Sequence, residues 1–149
     1  MADMPDSIER FTGRWNFLSN FYPAVLLWEG MFFATSEHAF NAGKTLDIEE
    51  RIWIASAPTP QEAKQRGRSV QLRPDWDTVE RYAVMSEVLR AKFTCRNERV
   101  QRLLSTGDML LVEGNDWHDT HWGRCSCRRH GYGDNHLGRL LMQLREELR

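Results

Sequence analysis

The chain has 149 residues, of which 41% are apolar and 28% charged, with a net charge of −1. Those values fit one globular domain with a core of its own and exclude a disordered chain or one held to duplex nucleic acid by bulk charge. The opening residues are polar, no apolar stretch is long enough to span a bilayer, and the three cysteines make an odd set. The expectation is therefore a cytoplasmic protein with reduced thiols and no membrane contact.

A polar tail over 1–10 precedes FTGRWNFLSNFYP, rich in aromatics with Gly13 and Pro23 as breakers. Two short apolar runs around Glu29-Gly30 read as a hairpin. Thr35 or Ser36 caps a predicted helix from Glu37 to about Leu46. Asp47 with Glu50 starts a second, whose inward face would carry Ile48, Ile52 and Ala55. Thr59-Pro60-Gln61-Glu62 is the strongest start in the chain, with Thr59 as N-cap, Pro60 in the first turn and Glu62 closing a capping box. Gly67 ends that helix. Asp77 with Glu80 opens a longer one carrying Tyr82, Met85, Leu89 and Phe93. Asn97 caps the next, with Val100, Leu103 and Leu104 inward. A short buried strand follows in MLLVEG, then a long loop over 114–135 without periodicity. A final helix from about Asn135 buries Leu137, Leu140, Leu141, Leu144 and Leu148. With helices dominant and strands few, the fold class is α+β, mainly helical, in a single compact domain over 11–149.

Three places carry enough polar chemistry to be sites. On a helix, Glu37, Asn41 and Lys44 stand at i, i+4 and i+7 and share one face. A carboxylate, an amide and an amine there supply an acid/base group beside a nucleophile or phosphate anchor, and a solvated face with a weak charge pair is the competing reading. The second place is the loop Gly114 to Gly123, where Trp117 and Trp122 offer faces for a planar base and Asp116 or Asp119 can hold a hydroxyl or water. Anchoring of the loop by its tryptophans is the alternative. The third is a metal site from His118, His121, Cys125, Cys127 and His130. Its Cys-x-Cys spacing departs from the usual Cys-x2–4-Cys, so neither a metal nor any other cofactor is expected. Arg68 and Arg73 could hold a phosphate, but decorating a loop between helices is the commoner role.

Taken together, these segments follow a recognisable order: Phe17-Leu18-Ser19-Asn20-Phe21, Ser36-Glu37-His38 through Lys44, and Pro60-x-Glu62-Ala63-Lys64 with Gly67-Arg68. Asp75-Trp76, Lys92-Phe93, Leu104-x-Thr106-Gly107-Asp108, Leu111-Val112-Glu113, Trp122-Gly123, and Asn135-x-Leu137-Gly138 through Leu141-Met142 complete it. The order resembles the YbiA-like, or NADAR, family from about Phe11 to Leu148; the stretch 124–130 is less typical. The resemblance implies a family-specific α+β fold and hydrolysis of the C–N bond between a ribose and a nitrogen base. It implies two substrate classes: phosphorylated ribosylamino-pyrimidine intermediates of the riboflavin pathway, and ADP-ribosylated guanine in nucleic acid. A non-catalytic ADP-ribose or nucleotide-binding module is the alternative. Carried over by motif, Glu37, Lys44 and Asp119 would be catalytic, and Ser19, Asn20, His38, Asn41, Trp76, Trp122 and Gly123 would bind substrate.

Overall fold

The structure is a computed structural model that describes residues 6–94, 98–127 and 132–149. The elements in chain order begin with β1 (Ser7–Ile8), a 3-10 turn (Gly13–Leu18), β2 (Leu26–Trp28) and β3 (Met31–Phe33). Helices α1 (Ser36–Ala42), α2 (Ile48–Ala55) and α3 (Pro60–Gly67) follow, then a π-type turn (Trp76–Glu80) running into α4 (Arg81–Lys92) and, further on, α5 (Glu98–Leu104). Strands β4 (Leu110–Leu111), β5 (Gly114–Asn115) and β6 (Arg124–Cys125) precede α6 (His136–Glu147). This is the expected α+β class, with helices dominant and each strand two or three residues long. The chain divides into two compact units, one of residues 20–92 and one joining 1–19 to 93–149. Among the described residues no helix is long and apolar enough to cross a membrane.

The 20–92 unit is built around α1, which packs on α2, α3 and α4. Its hairpin is the expected one: β2 and β3 pair antiparallel with Trp28 opposite Met31. Glu29 (φ 47°) and Gly30 (φ 78°) both take positive φ, as a two-residue type I′ turn requires. The caps also match their sequence signals. The Thr35 hydroxyl accepts from His38 N, Asp47 accepts from Glu49 N, and Thr59 accepts from Glu62 N with Pro60 in the first turn. The first helix is shorter than expected, because it stops at Ala42 rather than near Leu46. Gly43 sits so close to α4 that an added Cβ would lie within overlap distance of Val84 Cγ1.

Two expectations fail here for physical reasons. The inward face of α2 is Arg51 and Ile54, while Ile48 and Ile52 are exposed. Arg51 donates to the Thr45 carbonyl at 2.8 Å, pairs with Glu29 and lies 5.0 Å from the Trp28 ring centroid. Its guanidinium takes the position an apolar side chain was expected to fill, its stem packing while its head finds acceptors. The helix predicted from Asp77 starts instead as a wider turn. Asp75 is left-handed (φ 60°) and its carbonyl accepts from both Val79 N and Glu80 N at 2.9 Å, which turns Trp76 inward.

In the other unit β1 and β4 pair in parallel, and α6 packs on β4. Leu137, Leu141 and Leu144 are buried along α6, whereas Leu140 and Leu148 are only half-buried. Arg145 fills the rest of that face and donates to Thr106 Oγ1 at 2.9 Å and the Met109 carbonyl at 2.8 Å. On α5, Val100 and Leu103 are buried and Leu104 is half-buried; the expected cap at Asn97 and the thiol of Cys95 lie outside the described residues. The loop over 114–135 is not wholly irregular, since β5 and β6 pair in parallel within it. Asn135 caps α6 from a left-handed conformation, its buried amide bridging Glu113 N (3.0 Å) and the Leu111 carbonyl (2.9 Å).

Candidate active site

In the 20–92 unit the polar stripe read from the sequence converges around α1. Ser36 begins the helix and donates to Asn20 Oδ1 at 2.8 Å, while the Asn20 carbonyl accepts from Glu37 N at 3.0 Å. Asn20 thus ties the first turn of α1 down from outside the helix, and its Nδ2 lies 3.6 Å from Met85 Sδ. His38 is buried, with Nδ1 2.7 Å from the Thr35 hydroxyl and Nε2 2.9 Å from the Ala57 carbonyl. A carbonyl can only accept, so Nε2 donates to Ala57 and the ring is held at both nitrogens.

Asn41, one turn after Glu37 and 1% exposed, donates from Nδ2 to Glu37 Oε1 at 3.0 Å and to the Glu37 carbonyl at 2.8 Å. That pair holds one carboxylate oxygen in place while Glu37 itself is only half-buried. Asn41 Oδ1 is buried without a hydrogen-bond partner. It points at Gly67 at the end of α3, where an ideal Cβ would come within 2.1 Å of it. α3 can approach α1 this closely only because residue 67 has no side chain.

Lys44 follows α1 in a turn closed by Lys44 N to the Asn41 carbonyl at 3.2 Å, and its own carbonyl accepts from Arg73 N at 2.7 Å. The side chain is half-buried, with Nζ 5.8 Å from the Phe40 ring centroid. Its pKa is lowered from the usual lysine value, mainly because burial penalises the ammonium form. Glu37 and Asp77 oppose that shift, and Arg68 and Lys64 reinforce it. Phe40 and Trp76 pack at 5.3 Å between centroids, both largely buried, so Trp76 serves as a wall behind Lys44's neighbour. The group set around Lys44 is therefore one carboxylate held by an amide, a second carboxylate from Asp77, an amine biased toward its neutral form, two further cations and an apolar backing.

The remaining expected residues belong to the other unit. Ser19 closes the 3-10 turn through its N–H to the Asn16 carbonyl at 2.9 Å. Asp119 organises its loop: Oδ1 accepts from His121 N at 3.1 Å and Trp122 N at 2.9 Å. Asn115, fully buried, donates to the Asp119 carbonyl at 2.8 Å and accepts from Asp119 N at 3.0 Å. Asp116 and Trp117 are exposed, so Asp119 is the aspartate built into the loop. Trp122 is half-buried beside His121 (5.0 Å, edge-on) and His136 (6.2 Å). Gly123 is packed so tightly that an added Cβ would fall 2.0 Å from the Glu113 carbonyl oxygen. Sequence reading passed over Gly67, read only as a helix end, and over Lys64 and Asp77, whose charges reach Lys44. Only their fold neighbours reveal them.

The NADAR domain model matches residues 9–149, and the chain belongs to the NADAR family. An N-glycosidase of Nostoc punctiforme is 40% identical over 136 residues, covering 88% of this chain and 84% of that protein. The N-glycosidase YbiA of Escherichia coli is 41% identical over 132 residues, covering 87% of this chain and 79% of YbiA. The NMR structure of E. coli YbiA superposes with a TM-score of 0.82 at 38% identity, covering 98% of this chain and 87% of that one. The protein is an enzyme of the N-glycosidase class, a hydrolase of N-glycosyl bonds.

Proposed function

We propose that this enzyme hydrolyses the C–N bond between a phosphorylated ribose and the exocyclic nitrogen of a pyrimidine, as found in early riboflavin-pathway intermediates, with Glu37 and Lys44 as its catalytic residues. The observation that carries the reading is the setting of Lys44: an amine with a lowered pKa, facing a carboxylate held by Asn41, with Lys64 and Arg68 nearby. A neutral amine is a nucleophile, and the two further cations suit a phosphate. A riboflavin biosynthesis protein of Vibrio vulnificus is 36% identical to 89% of this chain, which corresponds to 35% of that longer protein, and this supports the same substrate class.

In the proposed reaction the Lys44 amine attacks the anomeric carbon as the C–N bond breaks. Glu37 takes the proton that Lys44 gives up on becoming the neutral nucleophile and passes it to the departing nitrogen. Opening of the sugar ring leaves a protonated Schiff base on Lys44, and water then adds to that carbon with Glu37 receiving the proton. Collapse returns the amine and releases the free sugar phosphate. The net change is one water consumed, one C–N bond cleaved and one N–H formed. Asn41 orients Glu37, while Asn20 and His38 act by fixing the first turn of α1, so their contribution to substrate binding is indirect. Asp119 orders the loop that carries Trp122. No cofactor enters the scheme, and the setting is cytoplasmic.

The test incubates purified protein in parallel with the phosphorylated ribosylamino-pyrimidine and with an oligonucleotide carrying ADP-ribosylated guanine, following release by mass spectrometry with Glu37→Gln as control. Release from the first substrate, lost in the variant, is the expected outcome. Release from the second alone would transfer the same chemistry to ADP-ribosyl guanine. Binding of ADP-ribose with release from neither would make the chain a reader module.

A further inference from the structure

The loop after β5 brings together three side chains that the glycosidase chemistry does not draw on. β5 and β6 pair in parallel, Gly114 with Arg124 and Asn115 with Cys125, so the chain between them must leave and return within a few residues. The Asn115 side chain closes this loop from inside, bonding Asp119 at both its N–H and its carbonyl and reaching the Arg124 carbonyl at 3.3 Å. The return folds His118 back over the strand that follows. His118 Nδ1 lies 3.2 Å from Cys127 Sγ and 3.7 Å from Cys125 Sγ, and the three ligand atoms all fall within 4.8 Å of one another. Cys125 is buried and Cys127 half-buried.

We propose that His118, Cys125 and Cys127 form a binding site for a zinc-class metal ion that clamps the loop bearing Asp119 and Trp122. Two sulfurs and an imidazole are a soft to borderline donor set, which suits zinc and not the oxygen-seeking magnesium or calcium. The spacing suits it as well. With Zn–S of about 2.3 Å and Zn–N of about 2.0–2.1 Å, tetrahedral ligand atoms stand about 3.5–3.8 Å apart. The two sulfur–nitrogen separations here are 3.2 and 3.7 Å. Cys127 N donates to Cys125 Sγ at 3.2 Å, an outer-shell bond of the kind that stabilises a thiolate ligand. The Asp116 carboxylate adds its negative charge near Cys125. His118 is exposed, so an ion can reach the cluster from solvent. The Cys-x-Cys spacing argued against a metal in the sequence because regular zinc motifs bring their ligands from two separated pairs. Here the third ligand comes from the loop's return, which spacing alone does not reveal.

The site is tested on the reduced, chelator-stripped full chain with Co²⁺ as probe and no substrate present, so the readout is independent of turnover. The expected result is binding of one Co²⁺ per chain, with thiolate-to-cobalt charge transfer in the near ultraviolet and tetrahedral d–d bands, both displaced by one equivalent of Zn²⁺. Zn²⁺ at about a hundredfold excess over Kd raises Tm by about 5–10 °C. Cys127→Ser abolishes the charge-transfer band or cuts affinity by about 100-fold, whereas Cys95→Ser leaves it unchanged. His118→Ala, a change at an exposed position, gives a second reading should Cys127→Ser not fold. No charge-transfer band at stoichiometric Co²⁺, or a band of wild-type affinity in both Cys127→Ser and His118→Ala, would overturn the proposal.

Discussion

Replacing Gly67 with alanine separates the geometry of this site from helix propensity. Gly67 ends α3 with an ordinary negative φ, so on propensity alone an alanine there would gain up to about 1 kcal/mol. The packing opposes this: the new Cβ would lie 2.1 Å from Asn41 Oδ1, 2.8 Å from Cγ and 2.9 Å from Cβ. Contact with three successive atoms of Asn41 leaves no small rotation as an escape, so the whole side chain must move or α1 and α3 must part. Overpacking of this kind costs about 1–3 kcal/mol, which leaves a net loss of up to about 2 kcal/mol and a Tm lower by several degrees. The larger effect falls on activity. A shifted Asn41 releases Glu37 Oε1 from its 3.0 Å hydrogen bond, and misplacing a catalytic group by about 1 Å can cost on the order of 100-fold. Gly67→Ala should therefore fold and lose about 10- to 100-fold in kcat/KM. Adding Asn41→Ala should recover stability without recovering activity, a non-additivity expected of touching residues. Wild-type kcat/KM in Gly67→Ala would refute the assignment of Asn41 as the residue that positions Glu37.

Other expected outcomes follow from the same geometry. Lys44→Arg keeps the charge but removes the titratable amine, so turnover should fall at least 1000-fold, whereas a mere phosphate anchor would tolerate it. Because the folded pKa of Lys44 lies below its unfolded value, wild-type activity should rise as pH climbs through that lowered pKa. Stability should rise over the same window, since there the unfolded chain binds more protons; both trends should vanish in Lys44→Met, read by pH–rate profiles and denaturant titrations. Gly123→Ala should lose about 1–3 kcal/mol by denaturant melt, because its Cβ meets the Glu113 carbonyl, to which Arg124 N also bonds.

The helix starts were legible in the sequence because capping is local. Thr59-Pro60-x-Glu62 fixes its own hydrogen bond within four residues, as does Asp47. The face α2 buries was not legible, since Arg51 goes inward only where Trp28, Glu29 and the Thr45 carbonyl wait for it. Glu37, Asn41 and Lys44 stood out as a polar stripe, and the stripe does converge, although α1 ends before Lys44 and a turn carries it the rest of the way. What kept Gly67 hidden is that its role is an empty volume, visible only from the neighbour that fills it. His118, Cys125 and Cys127 were visible as candidate metal ligands, but their spacing argued against a site because a loop return, not a repeat spacing, brings them together.

The most direct measurement of the central claim is reductive trapping. Enzyme turning over the phosphorylated ribosylamino-pyrimidine is quenched with borohydride, digested and mapped by mass spectrometry. The account predicts a reduced sugar-phosphate adduct on the peptide bearing Lys44, absent without substrate and absent in Lys44→Arg. Full turnover with no adduct, or an adduct on another lysine that persists in Lys44→Arg, would contradict it.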